Sequence, residues 1–168
     1  PVTIGLYSLA EQCYRAGNSI SATFAQVIRV NTIEVKLANT WIIVLTFMFI
    51  VFILFLVGQW VIGNILPSFL PNDYKGVINI LRMMLTIWLF QAWIKFINYS
   101  IIGKILGVNA LHKFSFWVTL LHLICIFIWA TNSNTLEEFT EYFLLASILQ
   151  FLVLMGPIVI KLCMIMKK

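Results

Sequence analysis

Two ionisable side chains, Arg82 and His122, stand inside long apolar runs of this chain. In lipid such residues are suspects for function, because a charge there is costly to keep. His122 lies near the middle of the apolar run 114–130, roughly 12 Å from either end at 1.5 Å rise per residue. Gln150 in the run 142–160 and Thr86 in the run 76–94 fall at a similar depth. An imidazole, a carboxamide and a hydroxyl at one level would suit a proton or ion relay, or contact with a small ligand. The plainer reading is that His122, Gln150 and Thr86 bond to one another between helices, at about 1 kcal/mol per bond. Shared depth alone asks for no more than that, so the plainer reading is preferred.

Arg82 sits near the outer end of its run and can snorkel to the headgroups. Its candidate charge partners are Glu137, Glu138 and Glu141, in the polar connector between the last two runs. The remaining acids, Glu11, Glu34 and Asp73, are isolated. Phosphate-binding glycine loops, HExxH and GxSxG are absent from the sequence. His112 and His122 are ten residues apart at different depths, which does not suit a bis-His haem. Cys13, Cys125 and Cys163 are too scattered for a disulfide framework or a CxxC metal site. The expectation is a protein that is not an enzyme and that carries no cofactor or metal.

The elements holding these residues are set by composition. Hydrophobic residues make up 62% of the 168 and charged residues 10%, against roughly 45–50% and about 25% in soluble domains. A chain this poor in charge must be covered by lipid. Eleven Lys and Arg, most of them beside hydrophobic runs, read as membrane orientation rather than nucleic-acid binding. Four runs approach the 20 residues or so that cross a bilayer, at 41–66, 76–94, 114–130 and 142–160. The fold expected is all-α and polytopic, a multi-pass integral membrane protein of a bacterial, organellar or other eukaryotic membrane.

Pro67 and Pro71 punctuate the first turn, and Pro157 bends the last span. Residues 95–107 read as an interfacial extension, with Lys95 and Lys104 facing headgroups and a Gly103–Gly107 spacing that permits close helix approach. A short extra crossing there is the alternative. Arg15, Arg29, Lys36, Lys95, Lys104, Lys113, Lys161, Lys167 and Lys168 fall on one side, against Lys75 and Arg82 on the other. That bias puts both termini on the inner side, where the sequon at Asn98 stays unmodified. Pro1 suits a removed initiator methionine, and no signal-peptide pattern opens the sequence.

Residues 1–40 hold no span but show helical periodicity. Glu11, Arg15, Asn18, Gln26 and Arg29 follow one face, with Ala22 filling the gap. Leu6, Leu9, Cys13, Ala16, Ile20, Phe24 and Val27 follow the other. Such a helix either lies on the inner membrane surface or packs on a partner; its polar face lacks the lysines of a lipid-binding helix, so packing on another subunit or on itself is favoured. A subunit that structures a larger secretion, respiratory or energy-coupling complex is the favoured function. The alternative is a small oligomeric channel or transporter.

Overall fold

Lipid offers no hydrogen bonds to a backbone, so an apolar run that enters it must satisfy its own N–H and C=O groups as a helix. The computed structural model describes residues 2–32, 34–70 and 77–166, with side chains described except at 2–7, 9, 10, 31, 32, 38, 108 and 161–166. These residues are helical almost throughout, with no strand among them. Helix α1 is Val2–Thr32, and α2 is Leu37–Trp60, prolonged by a π turn at Val61–Ile65 and a last turn at Leu66–Phe69. Helix α3 is Val77–Ile97, carried on by a π turn at Asn98–Ile102 and by Gly103–Leu106; α4 is Val108–Ala130 and α5 is Leu136–Met166.

Four helical stretches are long and apolar enough to cross a membrane: Asn39–Phe69, Val77–Leu106, Asn109–Ala130 and Leu136–Ile160. The four-span, all-α reading therefore stands, with longer spans than expected. Residues 95–107 continue α3 and form no separate crossing. Gly107 ends that helix at φ +78°, a left-handed value that suits glycine. Its N–H donates to Gly103 O at 3.0 Å, while its own carbonyl accepts from Leu111 N at 2.9 Å. The Gly103–Gly107 spacing is thus a helix stop and a corner into α4, not a packing face. Pro157 lies within α5, as expected.

Helix α3 occupies the centre. With its π turn it packs against all four other helices, and 39% of its most apolar stretch is buried, against 6% for α4. Its buried Phe96, Ile97 and Ile101 form the main core with Val44 of α2 and Leu154 and Ile158 of α5.

Helix α1 departs from the sequence reading. Tyr14 packs beside Ile80 and Met84, Gly17 lies against Trp88, and Ala25 and Ile28 join the core around Phe96 and Ile101. Rising numbers on α1 meet rising numbers on α3, so the two helices run side by side in the same direction. Against α2 the order reverses, with the rings of Phe24 and Phe47 5.8 Å apart. From Ile80 to Ile101 this contact extends along about 30 Å of helix. Helix α1 is therefore neither a surface helix nor a separate arm. It lies lengthwise on the spans, its start and the end of α5 lie at opposite ends of the bundle, and Arg15 sits toward Arg82 instead of toward Lys36.

The physical reason is a stripe of small residues at four-residue spacing, Gly17, Ser21 and Ala25, followed by Ile28. Ser21 is 1% exposed and Ala25 0%. Small side chains let two helix backbones approach, which is how helices associate where there is no hydrophobic force between them. Both faces visible in the sequence flank this stripe. Ile20, Phe24 and Val27 remain 57%, 44% and 47% exposed, Cys13 is exposed, and so are Arg15, Ser19, Gln26 and Arg29. The side chains of Leu6 and Leu9 lie outside those described.

Candidate functional site

Helix α3 carries one polar group after another, and successive groups address different neighbours. Near its start, Gln59 of α2 donates to Thr86 Oγ1 at 3.3 Å and to the Arg82 carbonyl at 3.0 Å. The Thr86 hydroxyl donates to that same carbonyl at 2.9 Å. A turn later Gln91 Nε2 donates to Ser147 Oγ at 3.2 Å and to Gln150 Oε1 at 3.1 Å, both on α5. Lys95 Nζ donates to Asn18 of α1, at 2.6 Å to Oδ1 and 3.2 Å to the backbone oxygen. Asn98 accepts from Ser115 of α4 at 2.9 Å. Lys104 donates to the Val35 carbonyl and, at 2.7 Å, to Thr40 Oγ1 at the start of α2.

These contacts rearrange the expected mid-depth layer. Thr86 faces α2 and Gln150 is held by Gln91. His122 stands against Phe143 with ring centroids 5.8 Å apart, and its buried Nδ1 has no hydrogen-bond partner. Among the described residues no direct hydrogen bond joins His122, Gln150 and Thr86. The reason is rotational: residues at one depth can point toward different helices. Lys95 and Lys104 likewise turn inward to oxygens of α1, α2 and the link between them, not out to headgroups.

Arg82 makes no ion pair with Glu137, Glu138 or Glu141. Its guanidinium lies over Gly63 in the π turn, where any side chain would collide with Nη2. Glu137 accepts a long bond from Asn79 at 3.5 Å. Glu138 belongs to the start of α5: its N–H donates to Thr135 Oγ1 at 3.2 Å, and its carboxylate accepts from Asn134 N at 2.8 Å. This is close to the reciprocal capping box that fixes a helix start. Glu141 is exposed.

Beside Arg82 lies a cavity of about 250 Å³ between α1, the end of α2 and α3. Its walls are almost wholly apolar and include Gly17, Ile62, Leu66, Leu85 and Trp88, with Cys13 among them. Among the described residues no three His, Cys, Asp or Glu side chains come together as a metal site would need.

The chain matches no protein-family model, no curated protein and no solved structure. Its function must be argued from its own residues. Those that the sequence reading passed over are Gln59, Gln91 and the stripe Gly17, Ser21, Ala25. The available signals were a glutamine in each of three spans and the four-residue spacing of small residues.

Proposed function

We propose that this chain is a non-enzymatic integral membrane subunit that structures a larger membrane protein complex, with α1 as the element that meets its neighbour. One observation carries the reading: α1 lies along α3 at the height of the spans while Arg15, Ser19 and Gln26 face outward. Arg15 is 74% exposed at its side chain although it pairs with Glu11 at 2.6 Å. Lipid covers such a face poorly, since hydrocarbon offers no hydrogen bonds to exposed polar side chains such as those of Ser19 and Gln26. Protein or water has to cover it. The end of the bundle near Arg29, Lys36, Lys104 and Lys113 is the inner one on this reading, by the bias of basic residues.

Extraction in a mild detergent followed by a native mass measurement tests this. A stable complex with different membrane proteins, lost on Gln26→Leu combined with Ser19→Leu, is the expected result. A monodisperse monomer would overturn it. The same polar face favours a second reading, an oligomeric channel in which copies of α1 line a water path. In that case the purified chain alone would form a ring, conduct ions in planar bilayers, and expose cysteines placed at 19 and 26 to a water-soluble thiol reagent.

A further inference from the structure

We propose that the cavity between α1, the π turn after α2 and α3 binds one acyl chain of an anionic phospholipid, whose phosphate is held by Arg82. The volume, about 250 Å³, exceeds the roughly 150 Å³ of an apolar cavity that takes up benzene. The cavity is partly open, and its walls offer next to nothing for a polar ligand to bond. Leu81, Leu85 and Trp88 form its α3 wall, which belongs to a helix long enough to span a bilayer. What surrounds such an opening is lipid.

The headgroup is assigned by Arg82. It lies between two wall residues, Leu81 and Leu85, and five residues from the start of α3, about 8 Å from that end at 1.5 Å per residue. An arginine there reaches headgroup level. Its guanidinium packs over Gly63, next to the wall residue Ile62, and its side chain has no hydrogen-bond acceptor among the described residues. Free guanidinium donors suit the paired oxygens of a phosphate. Glu11, two residues before Cys13 on the wall, is already held by Arg15 at 2.6 Å. That carboxylate is not free to attract a cationic headgroup, which favours an anionic lipid. Gly63 fits this arrangement, because a side chain there would displace the guanidinium.

The test uses the full chain in nanodiscs of mixed phosphatidylglycerol and phosphatidylcholine, released for native mass spectrometry. The expected result is one retained phosphatidylglycerol per chain. Arg82→Gln should lower its retention about tenfold, the ratio for roughly 1.4 kcal/mol, and Leu66→Trp, which fills the cavity, should abolish it. Equal retention of both lipids by the unaltered chain would overturn the proposal. So would full retention by a Leu66→Trp variant that keeps its helical circular dichroism. A diazirine-tailed phosphatidylglycerol added to the unaltered chain gives a readout free of any folding defect. Cross-links concentrated at 62–66 and 81–88 support the site, and cross-links spread evenly over the lipid-facing helices exclude it. Either result is independent of whether the chain assembles with other proteins.

Discussion

Lys95 of α3 reaches Asn18 of α1, its ammonium 2.6 Å from the side-chain oxygen and 3.2 Å from the backbone carbonyl. It is a charged contact between the central helix and the helix that does not read as a span. Removing the acceptor leaves a half-buried ammonium short of a partner, whereas removing the ammonium leaves a neutral amide. Asn18→Leu should therefore loosen α1 by about 2 kcal/mol and Lys95→Met by less, with the double variant no worse than Asn18→Leu. Hydrogen exchange of the α1 amides in detergent, run as a double-mutant cycle, measures all three. Additive losses would show that the two residues do not act as a pair.

Gly17 gives Trp88 its room. A methyl group on Gly17 would lie 2.8 Å from Trp88 Nε1, closer than packed atoms allow, so the indole must shift. Gly17→Ala is expected to cost about 1 kcal/mol and Gly17→Leu up to about 3 kcal/mol. Trypsin cleavage at Arg15 and Arg29 should accelerate in the same order.

Gln91 joins α3 to α5 through two bonds. Interhelical hydrogen bonds in membranes average about 0.6 kcal/mol, with a maximum near 1.7 kcal/mol. Gln91→Leu should thus destabilise the bundle by about 1–2 kcal/mol, since it also strands the side-chain oxygen of the buried Gln150, while Ser147 keeps its bond to the Phe143 carbonyl. Reversible unfolding in mixed micelles gives the number, and a change below 0.3 kcal/mol (roughly the noise of such additivity tests) would contradict the role assigned here.

His122 should behave oppositely. Its buried Nδ1 has no partner of good geometry among the described residues, although the ring lies by the Ala146 backbone, and a buried polar atom so poorly satisfied costs about 1–3 kcal/mol. His122→Leu is expected to leave stability unchanged or raise it by about 1 kcal/mol, in the same micelle assay. A loss comparable with that of Gln91→Leu would mean that His122 bonds within the assembled bundle after all.

Gly107 turns the chain from α3 into α4 at φ +78° and ψ 160°, a region essentially reserved for glycine, where an L side chain pays roughly 1–3 kcal/mol. Nothing lies within 4 Å of where a Cβ would stand, so Gly107→Ala isolates the backbone term from any clash. A thermal melt followed by circular dichroism should show a loss of about 1–3 kcal/mol.

The spans were legible because lipid imposes a length, and a run such as 41–66 meets it wherever its side chains point. The contacts between spans were not, because they depend on how each helix is rotated. Gln91 and Gln150 meet while His122, at a matching depth, turns to Phe143, and no periodicity in one strand of letters distinguishes the two cases. The face of α1 that packs on α3 was missed for a related reason. The helix's polar and apolar faces give a strong pattern, whereas Gly17, Ser21 and Ala25 are neither, and the face that packs on α3 is the one with least hydrophobic signal. Arg82 stood out as an ionisable residue in an apolar run, but the glycine beneath it lies in a π turn that composition does not announce.

The parallel course of α1 and α3 also bears on the order in which the protein is made. Helix α1 leaves the ribosome before α3, with a polar flank and without the surface it packs on. The surface it needs, from Ile80 to Ile101, is synthesised about fifty residues after α1 is complete. Until then α1 lacks its packing surface, and it enters the bundle only when α3 is in place. A helix made early thus settles only after one made later.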